Sequence, residues 1–93
     1  MTRYMIERHF PAGLTVPMNA DGRKAMAGIV ANNAEQGVTW VHSYVTPDRK
    51  NTFCIYDAPS PEAVRKVADR NGLPVGRITE VSVLDPYFYQ AQG

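Results

Sequence analysis

Residues 40–61, WVHSYVTPDRKNTFCIYDAPSP, decide how this chain folds. Successive side chains of a strand face opposite ways, so Trp40, His42 and Tyr44 share one side while Val41, Ser43 and Val45 share the other. Past the polar turn TPDRKN, Phe53 and Ile55 alternate with Cys54 and Tyr56. Pro47 and Asp48 suit a tight connection. The stretch is therefore two strands, over 38–45 and 52–57, joined as a hairpin. Each strand has an aliphatic side fit for a core and a side carrying aromatic or reactive groups.

Working outward, Ser60-Pro61-Glu62 opens a helix, with Ser60 as N-cap, Pro61 at the first helical position and an acid in the first turn. Val64, Val67 and Ala68 form its inward stripe; Gly72 and Pro74 end it. A last strand over 77–84 sets Thr79, Val81 and Val83 against Ile78, Glu80 and Ser82, up to Asp85-Pro86. Upstream, residues 3–10 alternate as a strand, with Tyr4, Ile6 and Arg8 opposed to Met5, Glu7 and His9, until Pro11 and Gly13. Between this strand and the hairpin a helix opens at Pro17 or Asp21, carries Met26, Ile29, Val30 and Asn33 as a short stripe, and closes at Gly37. Gly22 and Gly28 weaken that helix by up to roughly 1 kcal/mol each relative to alanine.

The order strand, helix, strand, strand, helix, strand predicts a ferredoxin-like α+β sandwich, a four-stranded antiparallel sheet with two helices on one face. Residues 1–86 form the domain and 87–93 a C-terminal tail, whose Tyr87, Phe88 and Tyr89 are suited to docking on a neighbour. The covered face is expected to be the aliphatic one: Tyr4, Ile6, Val41, Val45, Phe53, Ile55, Val81 and Val83. The open face then displays Met5, Glu7, His9, Trp40, His42, Tyr44, Cys54, Tyr56, Ile78 and Glu80. It is too apolar to stand in water, and a second copy of the chain is the expected cover.

Composition bounds the function. Ninety-three residues with a net charge of +1 make one domain with no basic footprint for nucleic acid. No run of about 18 apolar residues is present to span a bilayer. The charges of MTRYMIERHF do not suit a signal peptide, and the lone Cys54 makes no internal disulfide, so the cytoplasm is the expected location.

On the predicted open face, Glu7, Cys54 and His42 form a row across neighbouring strands. A carboxylate, an imidazole and a thiolate suit a borderline metal such as Ni²⁺, Zn²⁺ or Cu²⁺. The same trio can act as acid, base and nucleophile, or be purely structural. His9 is a further candidate ligand at a strand end, and Glu80 a rim carboxylate. Trp40, Tyr44 and Tyr56 serve as interface packing or as the walls of a small-molecule pocket. Arg8 interrupts an apolar row and is expected to pair with Asp57 or an acid of the second helix. Nucleotide-binding glycine motifs and recognised metal-ligand spacings are absent from the sequence.

The segments ERHF, WVHSYVTPD, FCIYDAPSPEAVRKVADRNGLP and RITEV resemble a small bacterial family, otherwise known as a domain of unknown function, that includes a nickel-binding protein with a dimeric ferredoxin-like fold. The specific parts are Glu7-Arg8, His42-Ser43-Tyr44, Cys54 with Tyr56, and Ala58-Pro59. The resemblance implies a cytosolic homodimer that binds nickel or a similar divalent metal. The family often carries a histidine on the second helix where this chain has Val67. The alternative reading is an enzyme of the dimeric α/β-barrel kind (isomerase, cyclase or small oxygenase), with His42 or Glu7 moving a proton, or a small-molecule carrier.

Overall fold

A computed structural model of the chain describes residues 1–87. Its elements are β1 (Thr2–His9), α1 (Ala20–Glu35), β2 (Thr39–Val45), β3 (Asn51–Ala58), α2 (Pro61–Asn71) and β4 (Ile78–Val81). The strands form one antiparallel sheet in the order β2-β3-β1-β4. With two helices completing the βαββαβ order, this is the ferredoxin-like α+β fold expected from the sequence. Phe88 and Tyr89, given a docking role above, lie outside the described residues; Tyr87 is exposed.

The centre of the sheet is the β1–β3 pair, in register from Thr2↔Ala58 to His9↔Asn51. This register sets Tyr4 opposite Tyr56 and Ile6 opposite Cys54, and all four are buried beneath the helices. With Val38, Ala58, Val64 and Val67 they form the core. This reverses the orientation expected of β3 from its sequence. Phe53 and Ile55 belong to the open face with Met5, while Cys54 and Tyr56 face the helices. Both sides of β3 are apolar, so its alternation distinguishes two faces without saying which turns inward.

A second correction lies in β2. The register slips between Trp40 and His42, where Val41 is the extra residue of a β-bulge. Trp40 pairs with Tyr56 and Ser43 with Cys54, on the helix side; His42 pairs with Ile55 and Tyr44 with Phe53, on the open side. The bulge thus separates Trp40 from His42 and Tyr44, which strict alternation would have kept together. On β4, Glu80 lies opposite Tyr4 and Ile78 opposite Ile6, while Val81 joins the open face. β4 is also shorter than expected. Its pairing ends at Arg3↔Val81, next to the start of β1, so Val83 and Leu84 have no strand to bond and stand exposed.

α2 is built as the sequence predicts. Ser60 accepts from the Ala63 amide, Pro61 begins the helix, and Gly72 ends it at φ 67°, a left-handed conformation that glycine takes without penalty. Val64, Val67 and Ala68 are buried. α1 is different in kind. Its N-cap is Asn19, whose side chain accepts from the Gly22 amide, rather than Pro17 or Asp21. Its inward row is Gly22, Met26, Ile29 and Asn33; Met26 and Ile29 are only half-buried, and Val30 is exposed. Polar links hold it instead: Asn32 donates to Asn71, Asn71 donates to Asn33, and Arg70 pairs with Glu35.

Gly22 is needed because a Cβ there would stand 1.7 Å from the Pro17 carbonyl oxygen, whereas a Cβ at Gly28 meets open space. Gly28→Ala is therefore expected to stabilise the fold by about 0.5–1 kcal/mol and Gly22→Ala to destabilise it, as measured by denaturant unfolding. On the open face Arg3 grips Asp57 through two hydrogen bonds of 2.8 and 3.0 Å. These bonds hold the Asp57 carboxyl below its ordinary range; burial opposes the shift, and the guanidinium charge adds a lesser push downward. A carboxyl whose folded-state pKa is depressed contributes stability above its unfolded value, near 3.9, and loses it as the pH falls through the folded value. Asp57→Asn should thus be less stable than wild type at neutral pH, with the gap closing in unfolding curves below about pH 4.

Candidate functional site

The open face and the helix-covered face divide the predicted site residues between them. Glu7, His42 and Tyr44 project from the open face, with His9 at its end. Glu7 is half-buried, and its carboxylate lies 4.0 Å from Arg77 Nε. His42 is exposed and meets Tyr44 edge-to-face at 5.1 Å between ring centres. His9 Nδ1 lies 3.0 Å from Asn51 Oδ1. The apolar middle of this face is Met5, Phe53, Ile55 and Val81, and Tyr44 stands 62% exposed beside it. No element among the described residues covers it.

Cys54 is not part of this surface. It is buried on the opposite face, with its Sγ 3.6 Å from Thr52 Oγ1. The row of Glu7, Cys54 and His42 therefore does not form. Glu7 and His42 also belong to different cross-strand rows: Glu7 aligns with Phe53 and Tyr44, His42 with Ile55 and Met5. They sit on β1 and β2, two strand spacings or about 10 Å apart, with β3 between. Among the described residues no three His, Cys, Asp or Glu side chains gather closely enough to hold a metal ion. Val67 is in the core beside the helix-covered face and not on the open one.

Trp40 and Tyr56 also face inward. They stack at 6.5 Å between ring centres, and the Trp40 indole donates to Ser43 Oγ at 2.9 Å. A pocket walled by Trp40, Tyr44 and Tyr56 together is thus excluded by the bulge, which leaves Tyr44 outside. Glu80 is exposed on the edge strand, on the Tyr4 side of the sheet.

The helix-covered side holds a feature that the sequence reading missed. Arg8 takes the third inward position of β1 after Tyr4 and Ile6, and it is 3% exposed. It does not pair with Asp57, which lies on the open face with Arg3, nor with any acid of α2. Its guanidinium sits 5.6 Å from the centre of the Tyr56 ring. Burial pushes the Tyr56 hydroxyl pKa up, and the nearby Arg8 charge opposes that shift. Beside these groups a cavity of about 250 Å³ opens between the sheet and α1. The available sequence signal was the Tyr4, Ile6, Arg8 spacing, which puts a cation in a core row.

Comparison with known proteins bears on this arrangement. No curated protein matches the chain. A crystal structure of SCO4226 from Streptomyces coelicolor A3(2) superposes with a TM-score of 0.70 at 24% identity, covering 89% of this chain and 99% of that one. That likeness supports the fold. No helix among the described residues is long and apolar enough to cross a membrane. The family described as nickel responsive protein SCO4226-like matches residues 4–81, a span that takes in all or nearly all of every element from β1 to β4. This chain belongs to the SCO4226-like family.

Proposed function

We propose that this protein is a cytoplasmic homodimer that binds nickel or a similar divalent metal at its open sheet face. The observation that carries the reading is the face itself: His42, Glu7 and His9 border an apolar patch that no part of the described chain covers. The family description, which names nickel responsiveness, supplies the metal.

One chain alone does not fit a resident ion, because Glu7 and His42 are separated by β3 and no third donor joins either of them. Structural zinc takes four ligands at about 2.0–2.3 Å, and two separated side chains do not supply such a set. A second copy packed face to face doubles the imidazoles and carboxylates and covers Met5, Phe53 and Ile55 at the same time. Such an interface is isologous: each copy offers the same patch. Metal binding and dimerisation then reinforce one another. Cys54 has no part in this site. Nor does the open face support the enzyme or carrier reading in its original form, since Trp40 and Tyr56 lie on the other side of the sheet.

Calorimetric titration of chelator-stripped protein with Ni²⁺ and Zn²⁺ tests the proposal. Binding in the micromolar range or tighter is expected, with the ion shared between two chains. His42→Ala should abolish it and Cys54→Ala should leave it unchanged. Sedimentation should show a dimer that Ile55→Glu converts to a folded monomer. Loss of binding on Cys54→Ala with none on His42→Ala would move the site to the other face, and absence of binding in the wild type would refute the reading.

A further inference from the structure

The cavity between the sheet and α1 is independent of the open face, and we propose that it binds a small organic carboxylate through Arg8. Three observations converge on it. Arg8 is almost wholly buried, and its Nε and Nη1 have no hydrogen-bond partner among the described residues. Arginine remains charged at any physiological pH, so burial does not neutralise it as it can a lysine. Among the described residues no acidic side chain lines the cavity; the other ionisable groups there are Arg49, Cys54 and Tyr56. A buried cation whose nearest company is the Tyr56 ring and hydroxyl lacks an anion among the described residues.

The cavity's shape and lining say which anion. Phe10, Leu14, Met26, Ile29 and Trp40 make most of its wall apolar. Its volume of about 250 Å³ is close to the lower end for organic ligands, and larger than the roughly 150 Å³ that accommodates benzene. A molecule of benzoate or phenylacetate size matches: one charged end for the guanidinium and an apolar body for Trp40 and Met26. Inorganic phosphate does not match, because its further charge and oxygens would meet hydrocarbon. The space exists because α1 offers the sheet only two half-buried apolar side chains, Met26 and Ile29, between Gly22 and Asn33. The same side is closed by the chain after β1, where Arg49 Nε donates to the Leu14 carbonyl at 2.8 Å and the Leu14 amide donates to the Arg49 carbonyl at 2.7 Å.

Trp40 is the single tryptophan of the chain and lines the cavity, so its emission reports directly on occupancy. The full chain would be titrated with benzoate, phenylacetate and hexanoate, with benzyl alcohol as the uncharged counterpart and inorganic phosphate as the charged one, following Trp40 emission and thermal unfolding. Carboxylates are expected to shift the emission, raise the unfolding temperature and bind at least about tenfold tighter than benzyl alcohol, the gain of a charge-assisted hydrogen bond. Arg8→Met should fold, be at least as heat-stable as wild type without ligand, and lose the preference for the carboxylate. Ile29→Trp should fill the space and block binding with Arg8 intact. Equal affinity for benzoate and benzyl alcohol, phosphate binding as tightly as benzoate, retention of the preference in Arg8→Met, or no response to any carboxylate would each overturn the proposal. Because neither Arg8 nor Ile29 lies on the open face, these results are separable from those of the metal titration.

Discussion

The antiparallel pairing of β1 with β3 is the constraint from which the other features follow. Eight residue pairs run from Thr2↔Ala58 to His9↔Asn51, and the flanking strands add one to each side of this centre. Side chains directly opposite in a ladder share a face, so a single register assigns both strands at once. Placing Ile6 against Cys54 sends Tyr4, Ile6 and Arg8 inward together with Thr52, Cys54, Tyr56 and Ala58. It sends Met5, Glu7, Phe53 and Ile55 outward. A slip of one residue would exchange the two sets, and with them the core, the cavity and the uncovered surface.

The two helices cover the inward face unequally. α2 is tightly built, capped at both ends and packed through Val64, Val67 and Ala68. α1 is tied to α2 by amides and an ion pair rather than by an apolar stripe. Burial of apolar area is the main source of cohesion in a domain this small, so an under-packed helix signals a demand other than stability. The space that α1 leaves is bordered by Arg8, the one buried cation among the described residues, and the coincidence of the two is what turns a packing defect into a candidate binding site.

The open face has the reverse character. Its apolar centre is flanked by charged and aromatic groups whose partners are local: Arg3 with Asp57, Glu7 near Arg77, His42 against Tyr44. Such a rim around an apolar middle is the usual anatomy of an interface. The sheet thus has two chemically distinct sides, one enclosing space within the chain and one offering surface beyond it, and functional residues on one side cannot cooperate directly with those on the other.

Element order, the α2 caps at Ser60 and Gly72, and the hairpin turn were determined by the sequence itself, because each rests on interactions among residues a few positions apart. The inward stripe of α2 was legible for the same reason. What the tertiary structure decided was orientation. In β3, Phe53 and Ile55 are as apolar as Cys54 and Tyr56, so local alternation is symmetric and only pairing with β1 breaks the tie. In β2 the bulge at Val41 displaces Trp40 from the face of His42, and nothing in the local pattern of WVHSYV announces an extra residue. Arg8 interrupts an apolar row, and Asp57, a partner expected for it from the sequence, lies on the other side of the sheet with Arg3. A strand's period tells which residues travel together; long-range hydrogen-bond register tells where they go.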